Sequence, residues 1–198
     1  GRWSLLEGID PASGDRLCFP DARASGTIVL WEKLDRIVSP QHDEQEFLDV
    51  MDGVERHLGM VFHRYIDGRT LRIILNGRPV QAWDPFLEER LDTWRSGEDR
   101  FSVNGSLIRA QGFVLPHRDR LNSKLWENAA GPHGWTAQQG FYIYRNERLL
   151  LAGSWLGLGR GRSWTKDEPY RLARIRVDIP NQADADWKID IRKATARP

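Results

Sequence analysis

The chain has 198 residues, a formal net charge of +1 and 40% hydrophobic residues. That length and apolar content suit one domain of ordinary size, or one domain with a piece of another, and the near-neutral charge names no class of partner. The single cysteine, Cys18, excludes an internal disulfide and fits a reducing compartment.

No signal-peptide pattern opens the chain. Its longest apolar stretch, Leu149 to Leu158, falls short of the roughly 18 residues a membrane helix needs, so a cytoplasmic protein without membrane partners is expected. Gly1-Arg2-Trp3-Ser4-Leu5-Leu6 reads as the middle of a strand without an initiator Met, as in a fragment excised from a longer protein. The nine tryptophans are expected mostly in the core or at its boundary.

In chain order, residues 1–20 read as a hairpin around Asp10-Pro11-Ala12-Ser13-Gly14-Asp15. Gly26 to Trp31 is β-rich and reads as a strand. From Asp43 to Tyr65, Phe47, Met51, Val54, Leu58, Phe62 and Tyr65 recur at three- and four-residue steps, the apolar stripe of a helix. Asp43 suits its N-cap, with Glu46 completing a capping box. Leu71, Ile73 and Leu75 alternate with polar residues, and Asn76-Gly77 supplies a tight hairpin turn. Residues 88–100 are charged and without period, as in a loop or frayed helix. Phe101 to Leu115 reads as one strand that Gly105 and Gly112 allow to bend.

Leu121, Leu125 and Ala129 predict a short helix ended by Gly131-Pro132. Phe141–Tyr144 and Arg148–Leu151 flank Asn146-Glu147 as a second hairpin. Gly153 to Asp167, rich in glycine and arginine, reads as a loop. Ala173, Ile175, Val177 and Ile179 alternate with Arg174, Arg176 and Asp178, a strand with one buried and one solvated face stopped by Pro180. Trp187, Ile189 and Ile191 repeat the alternation. The sum is an α+β fold, a mainly antiparallel sheet with helices on one face.

No complete catalytic site is legible. There is no Walker lysine motif, Gly157-Leu158-Gly159-Arg160-Gly161 is not a dinucleotide fingerprint, and nothing marks a nucleophile elbow. His42, His57, His63, His117 and His133 lack paired ligand spacing, so no metal site is expected on them.

Three segments carry a resemblance. Gly26-Thr27-Ile28-Val29-Leu30-Trp31-Glu32-Lys33-Leu34 resembles the Gly-Thr strand closing the nucleotide-binding domain of GHKL ATPases, the gyrase, heat-shock chaperone, histidine kinase and MutL superfamily. Phe141 to Leu150 resembles a strand pair of MORC-type transducer domains. Arg174 to Pro198 resembles a transducer strand followed by a loop that presents a basic residue to ATP. The resemblance implies that residues 1–38 are the last strands of an ATP-binding domain. It implies that residues 41–198 are a transducer domain, folded like the second domain of ribosomal protein S five. Thr27 then lies near the adenine pocket, and Lys193, or next Arg192, reaches the γ-phosphate, with Lys166 a weaker candidate. ATP and magnesium belong to the full-length protein. Its acidic base, magnesium-binding asparagine and glycine-rich lid would come from a missing N-terminal domain, since no Asp-x-Gly-x-Gly segment occurs here. The fragment alone would not hydrolyse ATP. Homodimerisation on ATP binding and a DNA-related role also follow from the resemblance.

A rival reading is a free-standing module. In it Arg160 and Arg162, with Trp155 and Trp164, contact nucleic acid or a protein partner.

Overall fold

The computed structural model describes residues 13–14, 25–32, 44–159 and 164–184. The chain divides into two compact units, residues 1–49 and 50–198. In the first, the Ser13 hydroxyl donates to Glu32 Oε2 at 2.6 Å. Residues 25–32 hold no strand, contrary to the expectation for Gly26 to Trp31, and Val29 and Trp31 are exposed. A β-rich composition needs a partner strand for its backbone groups, and among the described residues none pairs with these. The hairpin expected over residues 1–20 lies outside the described residues apart from Ser13 and Gly14, as do Asp43 and the strand expected at 187–191.

The predicted helix appears as α1 (Glu44–Val61) followed by α2 (His63–Asp67). Phe62 separates them, although its N–H still bonds Leu58 O at 3.0 Å. At Gly59 the chain after the first hairpin crosses α1 closely. Trp83 N–H donates to Gly59 O at 3.1 Å, and a methyl group on Gly59 would stand 2.5 Å from Gln81 O. Gly53, less than two turns earlier, has open space where a Cβ would go. Gly53→Ala should therefore add up to about 1 kcal/mol through helix propensity. Gly59→Ala should lose about 1–2 kcal/mol, because a backbone carbonyl cannot yield as a flexible side chain can. Urea denaturation of the two variants checks both signs.

The first hairpin is β1 (Ile74–Leu75) against β2 (Arg78–Pro79), shorter than the alternation suggested. Asn76 and Gly77 take φ of 49° and 76°, as their turn requires. The main sheet holds β3 (Trp94–Arg95), β4 (Asp99–Val103), β5 (Ser106–Val114), β6 (Gly140–Arg145), β7 (Arg148–Ser154) and β8 (Ala173–Ile179). Its order is β3-β5-β8-β6-β7, with β4 also on β5. Every pairing is antiparallel except β6 with β8, giving an α+β fold with a mainly antiparallel mixed sheet.

The single strand expected from Phe101 to Leu115 is a hairpin. Asn104 and Gly105, with φ of 48° and 80°, reverse the chain between β4 and β5. Here Asn-Gly decides over the β propensity on both sides. The helix near 121–129 is α3 (Ser123–Ala129), N-capped by Asn122, whose Oδ1 accepts from Leu125 N–H at 2.8 Å. Asn146 and Glu147 turn β6 into β7 with positive φ at both.

Two apolar clusters clothe the sheet. One joins Ile108, Ile143, Leu150, Val177 and Ile179. The other joins Phe86, Phe113, Tyr142, Tyr144 and Leu149, with Met60 of α1 and Trp83 packed against it. Along β6 the residues alternate between the two, the period of two that a strand buried on both faces shows.

Candidate functional site

On β8 the charged residues alternate as expected, but their face is not solvated. Arg174 is wholly buried, and the side chains of Arg176 and Asp178 are 16% and 15% exposed. This corrects the expectation of one solvated face. The aromatic cluster and the segment before β3 cover the row, and each charge meets a partner distant in the chain.

Arg174 donates to the carbonyl oxygens of Pro85 and of Ala129, the latter at 3.1 Å. Its guanidinium carbon lies 5.5 Å from the Trp83 and Trp135 ring centres and 5.8 Å from that of Tyr142. Burial pulls its pKa down, opposed by Tyr142, Asp84 and Tyr144. Two neutral carbonyls and three ring faces thus hold this cation, and among the described residues no carboxylate forms an ion pair with it. Arg176 donates to Glu88 Oε1 at 2.6 Å and lies 5.1 Å from the Phe113 ring centre. Asp178 accepts from Arg64 at the start of α2, and Arg64 stands 3.5 Å over the Tyr144 ring. Arg64 also reaches Glu147 in the β6–β7 turn at 3.2 Å.

His63 completes the network. Its Nε2 is 2.8 Å from the Tyr144 hydroxyl and its ring packs edge-on to Tyr144. Burial, and then the charges of Arg64 and Arg176, lower its pKa to about 3. Burial raises Tyr142 to about 12 and Tyr144 well above the usual range. These groups keep fixed protonation states near neutral pH, which suits tying α2 to the sheet better than exchanging protons.

Of the residues predicted from sequence, Thr27 is exposed in the first unit. Arg160, Arg162, Arg192 and Lys193 all lie outside the described residues. Trp155 is half-buried and donates from Nε1 to Gln139 Oε1 at 3.2 Å. Its ring meets Phe141, Trp164 and Tyr170 edge-on at 6.2, 5.5 and 6.5 Å. Trp164 is 54% exposed. Lys166 donates to Ala137 O at 2.6 Å, and burial lowers its pKa. The structure therefore brings Trp155 and Trp164 together. The buried arginine row was not anticipated as a network, and only its strict alternation with aliphatic residues could have signalled it.

Among the described residues no group of three or more His, Cys, Asp or Glu side chains could hold a metal ion. No helix among the described residues is long and apolar enough to cross a membrane. Comparison with protein-family models, with curated proteins and with solved structures finds no match to this chain.

Proposed function

We propose that this chain is the transducer part of a GHKL-type, MORC-like ATPase, coupling nucleotide state in a preceding domain to domain closure and dimerisation. The observation that supports the reading is the pairing of β6 with β8. Two of the three segments that carry the resemblance, Phe141 to Leu150 and the one beginning at Arg174, become neighbours in one sheet. Their parallel register joins Arg145 to Ile179, so the end of β8, from which the chain runs on toward Arg192 and Lys193, meets the turn end of the β6–β7 hairpin.

A lysine is a compact charge on a flexible stem, suited to sensing a terminal phosphate. Carried on a second unit, Lys193 would contact ATP only when the units close, and loss of the γ-phosphate would release it. ATP and magnesium supply the phosphoryl chemistry, while this chain's part is to orient and to sense. A DNA-related role for the whole protein is an analogy with the superfamily.

Two tests separate the parts of this reading. The coding sequence upstream of Gly1 should encode an acidic base and glycine-rich nucleotide segments, and their absence sinks the reading. In the full-length protein, Lys193→Ala should lower ATP turnover about 100-fold or more, the scale of losing one donor to transition-state charge. Turnover equal to wild type would remove the sensor role.

A further inference from the structure

Between one face of α1 and the loop after α3 lies a cleft of about 530 Å3. Arg56, His57 and Gly53 line it from α1, at the spacing of adjacent positions on one helical face. His133, Gln138 and Lys166 line it from the other side. The residues around it include no aspartate, glutamate, phenylalanine, tyrosine or tryptophan. The two neighbouring clefts differ sharply, with three carboxylates around one and five around the other. In a chain of net charge +1 this is a local segregation of positive groups.

Neither cation has an ion-pair partner among the described residues. Among the described residues no ion pair or side-chain hydrogen bond holds Arg56, although Asp52 and Glu55 stand on the rim of the next cleft, which Arg56 also lines. Lys166 spends one N–H on Ala137 O at 2.6 Å and meets no carboxylate among the described residues, leaving two donors. Partial burial lowers its pKa. An Arg fork, an ammonium and two imidazoles around one space are the donors that a tetrahedral oxyanion accepts. With no flat apolar ring in the lining, nothing is available to stack a nucleobase.

We infer that this cleft is a binding site for a phosphate group, held by Arg56 and Lys166 with His57 and His133 beside them. The ligand is recognised through its phosphates, whether a free polyphosphate tail or a phosphodiester. Apart from Lys166, the weaker γ-phosphate candidate of the transducer reading, none of these residues belongs to that reading, and the inference is testable without ATP turnover.

The test uses the whole 198-residue chain. Tripolyphosphate binding is followed by isothermal titration, and binding of a fluorescein-labelled oligothymidine by anisotropy, both at low salt. Wild type should bind at least one probe, and Arg56→Gln and Lys166→Gln should each weaken it by about tenfold or more. Gly53→Glu puts a carboxylate into the cleft from a position with room for a side chain, and should abolish binding while the thermal transition persists. Tripolyphosphate binding alone identifies a small phosphate ligand, and oligothymidine binding lost in the same variants identifies a nucleic-acid backbone. If neither probe binds wild type, or if folded variants bind as wild type does, the site is refuted.

Discussion

Arg174→Ala should destabilise the protein by about 3–5 kcal/mol, the range for removing a buried charged side chain whose partners stay behind. The loss has two sources. The carbonyl oxygens of Pro85 and Ala129 would be left in the interior without their donor. The space among Trp83, Trp135 and Tyr142 would become a cavity. For a chain of this size the melting temperature should fall by roughly 10 °C or more. Arg174→Lys should recover little, since an ammonium cannot span both carbonyls as a planar fork does. Arg174→Met should recover more, because it refills the space without a charge to desolvate. Urea denaturation of the three variants gives the order. If alanine costs under about 1 kcal/mol, the arginine is not what joins β8 to the Pro85 segment and the end of α3.

The second large effect is on pH dependence. His63 in the folded chain stays neutral down to about pH 3, whereas its ordinary value is 6.5. Below pH 6.5 the unfolded chain takes up a proton that the folded chain refuses. The stability is complete above pH 6.5 and lost as pH falls toward 3, at about 1.4 kcal/mol per pH unit. Nearby groups define the usable window. Arg64, whose pKa is raised through its contact with Asp178, stays charged throughout, and Asp67 lies 4.0 Å from His63. Burial raises the carboxyls of Asp67 and Asp84, which adds stability in acid and opposes the histidine there. Between pH 6.5 and 5 the histidine dominates. His63→Gln, whose amide can still meet the Tyr144 hydroxyl, should flatten the stability profile by close to one proton in that window. An unchanged slope would place the responsible group elsewhere.

Much of the fold was legible because local chemistry settles it. Asn146-Glu147 and the flanking apolar runs located the β6–β7 hairpin, and Pro180 marked the end of β8. Asn104-Gly105-Ser106 was legible as a turn, with the chemistry of Asn76-Gly77, but Phe101 to Leu115 read as one bent strand, so the turn was not recognised as reversing the chain into a hairpin. Gly26 to Trp31 shows the converse, since β propensity without a partner makes no strand. The charged face of β8 failed for another reason. Its period was correct, but what covers it comes from 89 and 45 residues away, beyond any local pattern. The cleft around Arg56 and Lys166 was invisible likewise, because only the fold joins α1 to the segment before β8.

The insertion of β8 between β5 and β6 also sets the order in which the chain can mature. Among the described residues the β3–β5 and β6–β7 parts of the sheet share no ladder of their own, and β8 joins them. On the ribosome both parts must wait, with unpaired inner edges, until the residues up to Ile179 emerge. Among the described strands the last one made is thus the central one, and closing the sheet requires distant pairing of the kind that slows folding. A nascent chain interrupted before Ala173 would leave the facing edges of β5 and β6 unpaired at once.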